Sequence, residues 1–264
     1  MDIEIIGRET CKIAREAGEF IRSESLKFSA GDIETKGKHD YVTYVDRNAE
    51  KKIINNLAKL LPGSGFIAEE GTIKKHGKTY TWIVDPLDGT TNFIHGIPLY
   101  SVSIALMDKE EIVVGVIYEI GLDECFFTWK DCPAFLNGVE INVSKTARVT
   151  NSLLATGFPF SNYDRFDQFI ESLKYFMRNS HGIRRMGSAA VDLAYIACGR
   201  FDAFWEYNLN PWDVAAGILI LQNAGGKVSD FSGGNNYLFG KEIVAGNPYL
   251  FEEFLKHVSK FMVK

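Results

Sequence analysis

Of 264 residues only four are cysteine (Cys11, Cys125, Cys132 and Cys198), and no two form a CxxC pair. So few and so scattered, they argue against a disulfide framework or a zinc site and read as free thiols of a reducing compartment. The first residues, Met1-Asp2-Ile3-Glu4, lack the basic and apolar regions of a signal peptide, so a cytoplasmic location is expected. There Asn142-Val143-Ser144, which fits the glycosylation pattern, goes unused. The longest mostly apolar run, Val214–Leu221, is far too short to cross a bilayer, and no membrane partner is expected. No lysine or arginine block occurs and the formal net charge is −5, so no nucleic-acid partner is expected. The five histidines (His39, His76, His95, His181 and His257) are dispersed without ligand spacing. No GxSxG, Walker A or GxGxxG motif stands at a strand-to-helix junction, which argues against serine hydrolases, P-loop enzymes and Rossmann dehydrogenases. There is no internal repeat, low-complexity segment or Pro/Ser-rich linker.

What is present is material for a large core: 46% of residues are hydrophobic and 13% aromatic. Ile3, Ile6, Ile13, Ala17, Phe20 and Ile21 recur at helical spacing and predict an amphipathic helix over residues 3–26. The polar, glycine-bearing stretch Ser29 to Asp40 reads as a mobile loop. A second helix is expected from about Val45 to Leu61, stopped by Pro62-Gly63. Strand-like runs follow at Phe66–Ala68, Thr81–Val84, Ser101–Met107, Ile112–Tyr118 and Cys125–Trp129, spaced as an antiparallel meander. Beyond residue 150 helical and extended segments alternate, which suggests α/β layering. We expect one compact unit, residues 1–264, with approximate subdomains 1–150 (metal and phosphate) and 151–264 (substrate).

The densest chemistry is Asp85-Pro86-Leu87-Asp88-Gly89-Thr90-Thr91. Two carboxylates lie where a strand ends, and Thr90 or Thr91 stands near the cap of a helix that follows. Hard oxygen ligands suit Mg²⁺, and the free amides of a helix start suit phosphate. Metal beside phosphate is the layout of a phosphoryl-transfer site. Bound Mg²⁺ reverses the local field, so an acidic chain is compatible with an anionic substrate. Glu69, Glu70 and Asp213 are further candidate ligands. Each has a plain structural reading as well. An Asp-Pro-x-Asp turn is equally a capped loop, and Asp213 alone reads first as an N-terminal helix residue favoured by the dipole. Asp46 alone reads as an exposed first-turn acid. Arg184-Arg185 read as strand-end surface charges before substrate contacts.

Taken together, these segments resemble the inositol monophosphatase family. Trp82–His95 is similar to its first signature, and Trp212–Gly217 continuing to Ala224-Gly225-Gly226 to its second. Glu69-Glu70 stands at the expected place before the first, and Asp40–Asp46 resembles the Asp-x-Val-Thr-x-x-Asp segment. The likeness spans essentially the whole chain and lies closest to the bacterial inositol-1-monophosphatase branch. It implies a layered α-β-α-β-α sandwich, an α/β fold with an antiparallel meander sheet in the first half and a mixed α/β half after it. It implies two to three Mg²⁺ ions, with Mn²⁺ as a substitute. Glu69, Asp85 and the Leu87 carbonyl match one site; Asp85, Asp88 and Asp213 match a second; Glu69 with waters matches a third. The Gly89 and Thr90 amides match the phosphate cradle, and Thr90 with Asp46 the pair that orients the attacking water. Glu206, Ser188, Ala189 and Asp213 match substrate contacts, with Lys36, Glu70 and Arg184 as further candidates. The implied reaction is in-line hydrolysis of inositol 1-phosphate by metal-activated water, sensitive to Li⁺, in a homodimer. Glu206 favours a polyol, since it accepts from hydroxyls and repels a second phosphate. The competing readings are a fructose-1,6-bisphosphatase, a 3′-phosphoadenosine phosphatase, or a non-catalytic interaction protein on the same fold.

Overall fold

The first helix, α1 (Ile3–Ser25), begins where the Asp2 carboxylate accepts the amides of Glu4 and Ile5 at 3.1 and 3.2 Å. It buries Ile6, Ile13, Ala14, Ala17 and Ile21 along one stripe. The computed structural model describes residues 2–28, 33–37, 40–71, 77, 79–159 and 162–263, and of residues 33–37, 40 and 41 only the backbone. The second helix, α2 (Tyr44–Leu60), is capped by Thr43, whose hydroxyl accepts the Val45 amide at 3.0 Å. Asp46 completes a capping box by accepting the Thr43 amide at 2.8 Å.

Within Ser29 to Asp40, read from the sequence as a loop, the structure departs from that reading. Strands β1 (Ile33–Gly37) and β2 (Asp40–Thr43) pair antiparallel, while residues 29–32, 38 and 39 lie outside the described residues. Charged and glycine residues mask the β-branched Ile33, Thr35, Val42 and Thr43 that carry this hairpin.

The meander forms as expected and grows into a seven-stranded sheet. Its order is β3 (Gly65–Ala68), β4 (Tyr80–Asp88), β5 (Ser101–Asp108), β6 (Glu111–Glu119), β7 (Glu124–Trp129), β8 (Phe135–Leu136) and β9 (Val139–Glu140). Only β3 and β4 run parallel. Period-2 alternation sorts the side chains. Trp82, Val84, Val102, Ile104, Val114 and Val116 pack with α1 and α2, while Ile83, Ala105 and Ile117 join a core on the opposite face. Both faces are covered, so these strands read as near-continuous apolar runs.

The second sheet has the order β11 (Gly182–Arg184), β10 (Leu153–Thr156), β12 (Ala203–Tyr207), β14 (Glu242–Gly246) and β13 (Lys227–Ser229). Strand β10, which pairs parallel with β11 and β12, was not anticipated; four residues without alternation give no period to read. Between the sheets lie α5 (Ala189–Ala197) and α6 (Pro211–Asn223), packed with residues of both. On the outer face of the second sheet, α4 (Phe166–Asn179) and α7 (Phe251–Met262) close a core around Phe176, Trp205 and Phe254. The five layers are therefore helix, sheet, helix, sheet, helix. A fully buried large apolar side chain contributes about 1.5–3 kcal/mol. Three such cores supply the stability against which a charged, desolvated cleft can be held.

The end of β4 carries the feature that positions the chemistry. Strand β4 runs on through Asp85-Pro86-Leu87-Asp88, further than the sequence indicates. Asp85 faces Ser103 and Asp88 faces Ser101, so three steps on β4 match two on β5. This bulge accommodates Pro86, which has no amide to give the ladder, and it re-aims the strand end. The chain then turns through Gly89, with φ 101°, into the short helix α3 (Thr90–Ile94). Gly89, rather than Thr90 or Thr91, is the N-cap, because the turn needs the left-handed conformation that glycine adopts without strain.

Candidate active site

A cleft of about 740 Å³ opens where the bulged end of β4 meets the starts of three helices. Glu69 reaches it from the end of β3, and Asp85, Leu87 and Asp88 from β4. Gly89 and Thr90 come from the start of α3, Ser188 and Ala189 from the start of α5, and Asp213 from the start of α6. Helix N-termini carry partial positive charge and orphan amides, so three converging on one cavity favour an anion there.

The carboxylates are held by this framework. Asp85 Oδ1 accepts the Leu87 amide at 2.9 Å within the bulge. Asp88 Oδ2 accepts from the Ser188 hydroxyl at 2.6 Å and the Ala190 amide at 2.8 Å, tying β4 to the start of α5. Asp213 Oδ2 accepts the Asn210 amide at 2.6 Å. Its cap role and its place in the cleft therefore coexist, because only one oxygen is used by the cap.

Electrostatics set this cluster apart. Burial pushes the Asp85 carboxyl well above the usual carboxylate range, and the charges of Glu69, Asp88 and Asp213 push it further. Asp213 is raised likewise by burial, then by Asp88. Asp88 is pushed up to about 6 by burial, against which Ser188 and the Ala190 amide work. Glu206, on β12, is pushed up to about 8, again by burial. Acids that repel one another in a low-dielectric cleft need a cation. The donor set of Glu69, Asp85, the Leu87 carbonyl, Asp88 and Asp213 consists wholly of hard oxygens, which fits Mg²⁺. Among the described residues no three His, Cys, Asp or Glu side chains form a ready-made metal cage.

Thr90 and Asp46 meet behind this cluster. The Thr90 hydroxyl lies 3.0 Å from Asp46 Oδ1 and 3.1 Å from the Leu87 carbonyl. Asp46 is 1% exposed, not the surface acid its position in α2 suggests. Its Oδ2 accepts from both the amide and the hydroxyl of Thr43. Burial raises its pKa while the Thr43 and Thr90 hydrogen bonds oppose the rise.

Not every candidate reaches the cleft. Glu70 and Arg184 are not among its lining residues. The Glu70 amide donates to Glu50 of α2 at 2.8 Å, and Arg184 is exposed. The side chain of Lys36, on β1, lies outside the described residues. Arg185, read first as a strand-end surface charge, does line the cleft, as do Gly157 and Asp192, which the sequence reading did not single out. Arg185 stacks over Phe158 at 5.6 Å and lowers the pKa of Asp88, Asp192 and Glu206. Gly157 seats Glu206, since a Cβ at that position would lie 1.9 Å from Glu206 Oε1. Asp192 lies one turn into α5, where a charge inside Ala-Ala-Val-Asp-Leu-Ala-Tyr was the signal available in the sequence.

Comparison with known proteins shows what the chain as a whole is similar to. The model of the inositol monophosphatase family matches residues 5–262. An inositol-1-monophosphatase of Mesorhizobium japonicum is 42% identical over 248 residues, covering 94% of this chain and 93% of that protein. The Nus factor SuhB of Pseudomonas aeruginosa is 42% identical over 249 residues, covering 92% of each. The crystal structure of extragenic suppressor protein suhB from Bartonella henselae superposes with a TM-score of 0.90 at 41% identity, covering 94% of this chain and 96% of that one.

Proposed function

The chain belongs to the inositol monophosphatase family and is a phosphatase; we propose that it hydrolyses inositol 1-phosphate, or a closely similar polyol monophosphate, with Mg²⁺. The observation that carries this reading is the hydrogen bond from Thr90 to the buried Asp46 at the edge of a cleft walled by Glu69, Asp85, Asp88 and Asp213. Mg²⁺ held by those carboxylates and the Leu87 carbonyl would supply positive charge against the phosphoryl group and raise the acidity of water.

The chain's own residues do the rest. With its proton directed to Asp46 Oδ1, the Thr90 oxygen presents a lone pair to an attacking water and fixes its approach. The amides of the Gly89 cap and of Thr90, the first residue of α3, hold phosphate oxygens in line with that approach. Ser188 fixes Asp88 against α5, so the acid does not wander when substrate enters. Glu206, seated on Gly157, accepts from the hydroxyls of the polyol. Such positioning matters because unaided phosphate-monoester hydrolysis is slow enough to require roughly 20 kcal/mol of barrier lowering. One neutral hydrogen bond supplies about 1 kcal/mol.

The test is phosphate release, with and without Mg²⁺, from inositol 1-phosphate, fructose 1,6-bisphosphate and 3′-phosphoadenosine 5′-phosphate. Mg²⁺-dependent release fastest from the first supports the reading. Preference for either bisphosphate would move the assignment to the corresponding alternative. Family likeness further supports Li⁺ inhibition and a homodimer, and the four free thiols support a reducing, cytoplasmic setting. The name of the P. aeruginosa relative, a Nus factor, favours a second reading, an interaction role on the same fold. If that role is independent of catalysis, a Thr90→Ala chain keeps it.

A further inference from the structure

We propose that Asp192 is a second hydroxyl-recognising group of the cleft and sets its preference for polyol over plain phosphate monoesters. The proposal rests on the polyol-phosphate reading and sharpens it. Asp192 lies four residues after Ser188, the N-cap of α5, and its side chain borders the cleft. It is 1% exposed, and its Oδ1 has no hydrogen-bond partner among the described residues. Buried polar atoms are nearly always satisfied, and leaving one unsatisfied is costly. The donor missing from the protein is one that enters the cleft.

The surroundings say what kind of donor. Every other residue of α5 is Ala, Val, Leu, Tyr or Ile, packed in the core between the sheets. An apolar side chain of Asp192's size would suit that helix, so folding does not ask for the acid. Across the cleft stands Glu206, held against Gly157, close enough for its charge to act on Asp192. Arg185 lines the same space and is the cation that offsets both acids. Two acceptors bordering one cavity match the hydroxyl donors of a polyol ring.

The experiment compares inositol 1-phosphate with p-nitrophenyl phosphate, whose leaving group has no additional hydroxyl, under Mg²⁺. The ratio of their kcat/KM values is measured for wild type, Asp192→Leu and Asp192→Asn, with a thermal melt of each. For Asp192→Leu the ratio is expected to fall about tenfold or more, through KM for inositol 1-phosphate, because a site built around a hydroxyl loses discrimination with its acceptor. Its Tm is expected to rise, since a buried unpartnered carboxyl has become apolar. Asp192→Asn keeps one acceptor oxygen and is expected to show a smaller fall in the ratio. An unchanged ratio, or a ratio kept by equal losses on both substrates, overturns the proposal. If Asp192→Leu does not fold, Asp192→Asn decides alone: a fall of about threefold or more supports the role, and none overturns it. A wild-type enzyme that cleaves p-nitrophenyl phosphate but not inositol 1-phosphate overturns the polyol reading itself, before any variant is compared.

Discussion

Helices α5 and α6 are the same elements at both ends and yet behave as two different materials. Along their bodies Leu193, Ile196, Ile218 and Ile220 are at most 2% exposed and pack between two sheets. At their starts Ser188, Asp192 and Asp213 border a cleft of mutually repelling acids. The bodies satisfy every demand of folding. The starts oppose it, and only a ligand relieves them. Stability and activity should therefore separate along a single helix.

The sharpest separation is on α6. Asp213→Asn should lower kcat by about 10³-fold or more, since a charge worth several kcal/mol in the transition state is weakened. The Mg²⁺-free melting temperature should hold or rise, because one repelling acid has gone. Activity within tenfold of wild type would break the comparison. Two turns further along, Ile220→Ala should do the reverse, costing about 2–5 kcal/mol in urea unfolding while kcat stays near wild type. A next smaller effect is expected at Thr90→Ala: kcat down about 10²-fold with Mg²⁺ affinity kept, as calorimetry would report. Lost Mg²⁺ binding would instead make Thr90 part of the ion site.

Gly157→Ala is subtler. The added methyl would collide with Glu206 Oε1, the far end of a flexible side chain, so the carboxylate moves and the fold does not. KM for inositol 1-phosphate should rise about tenfold, the size of one lost polar contact, with little change in Tm. A separate expectation concerns pH. Burial pushes Glu206 up to about 8 in the folded chain against 4.5 ordinarily, and Asp88 up to about 6 against 3.8. The folded state thus holds protons that the unfolded chain has released, and stability falls as pH rises through this interval. An EDTA-treated sample should melt lower at pH 8 than at pH 5, and Glu206→Gln should flatten that slope.

The two materials also differ in how far they can be read from the sequence. Helix α1 is legible by its long local period, and strands β4 to β7 by apolar runs bounded by turns. The Asp85–Thr91 turn is legible because its ligands are neighbours in sequence. Strand β10 is not, having four residues and no alternation. Asp46 looks like a surface acid until α2 packs on the sheet and Thr90 arrives from 44 residues away. Arg185, just past β11, and Asp192, on α5, gain meaning only when the fold brings them into one cleft with Glu206 of β12. Glu69, Asp85, Asp88 and Asp213 were each nameable, but their mutual repulsion is a property of the fold.

That repulsion is the central claim, and Mg²⁺ titration calorimetry in two buffers of different ionisation enthalpy tests it most directly. At pH 7 the account predicts that Mg²⁺ binds to the metal-free protein and expels protons, so the two heats differ, and that Asp85→Asn loses the binding. Absence of binding, or binding with identical heat in both buffers and unaltered by Asp85→Asn, would contradict it.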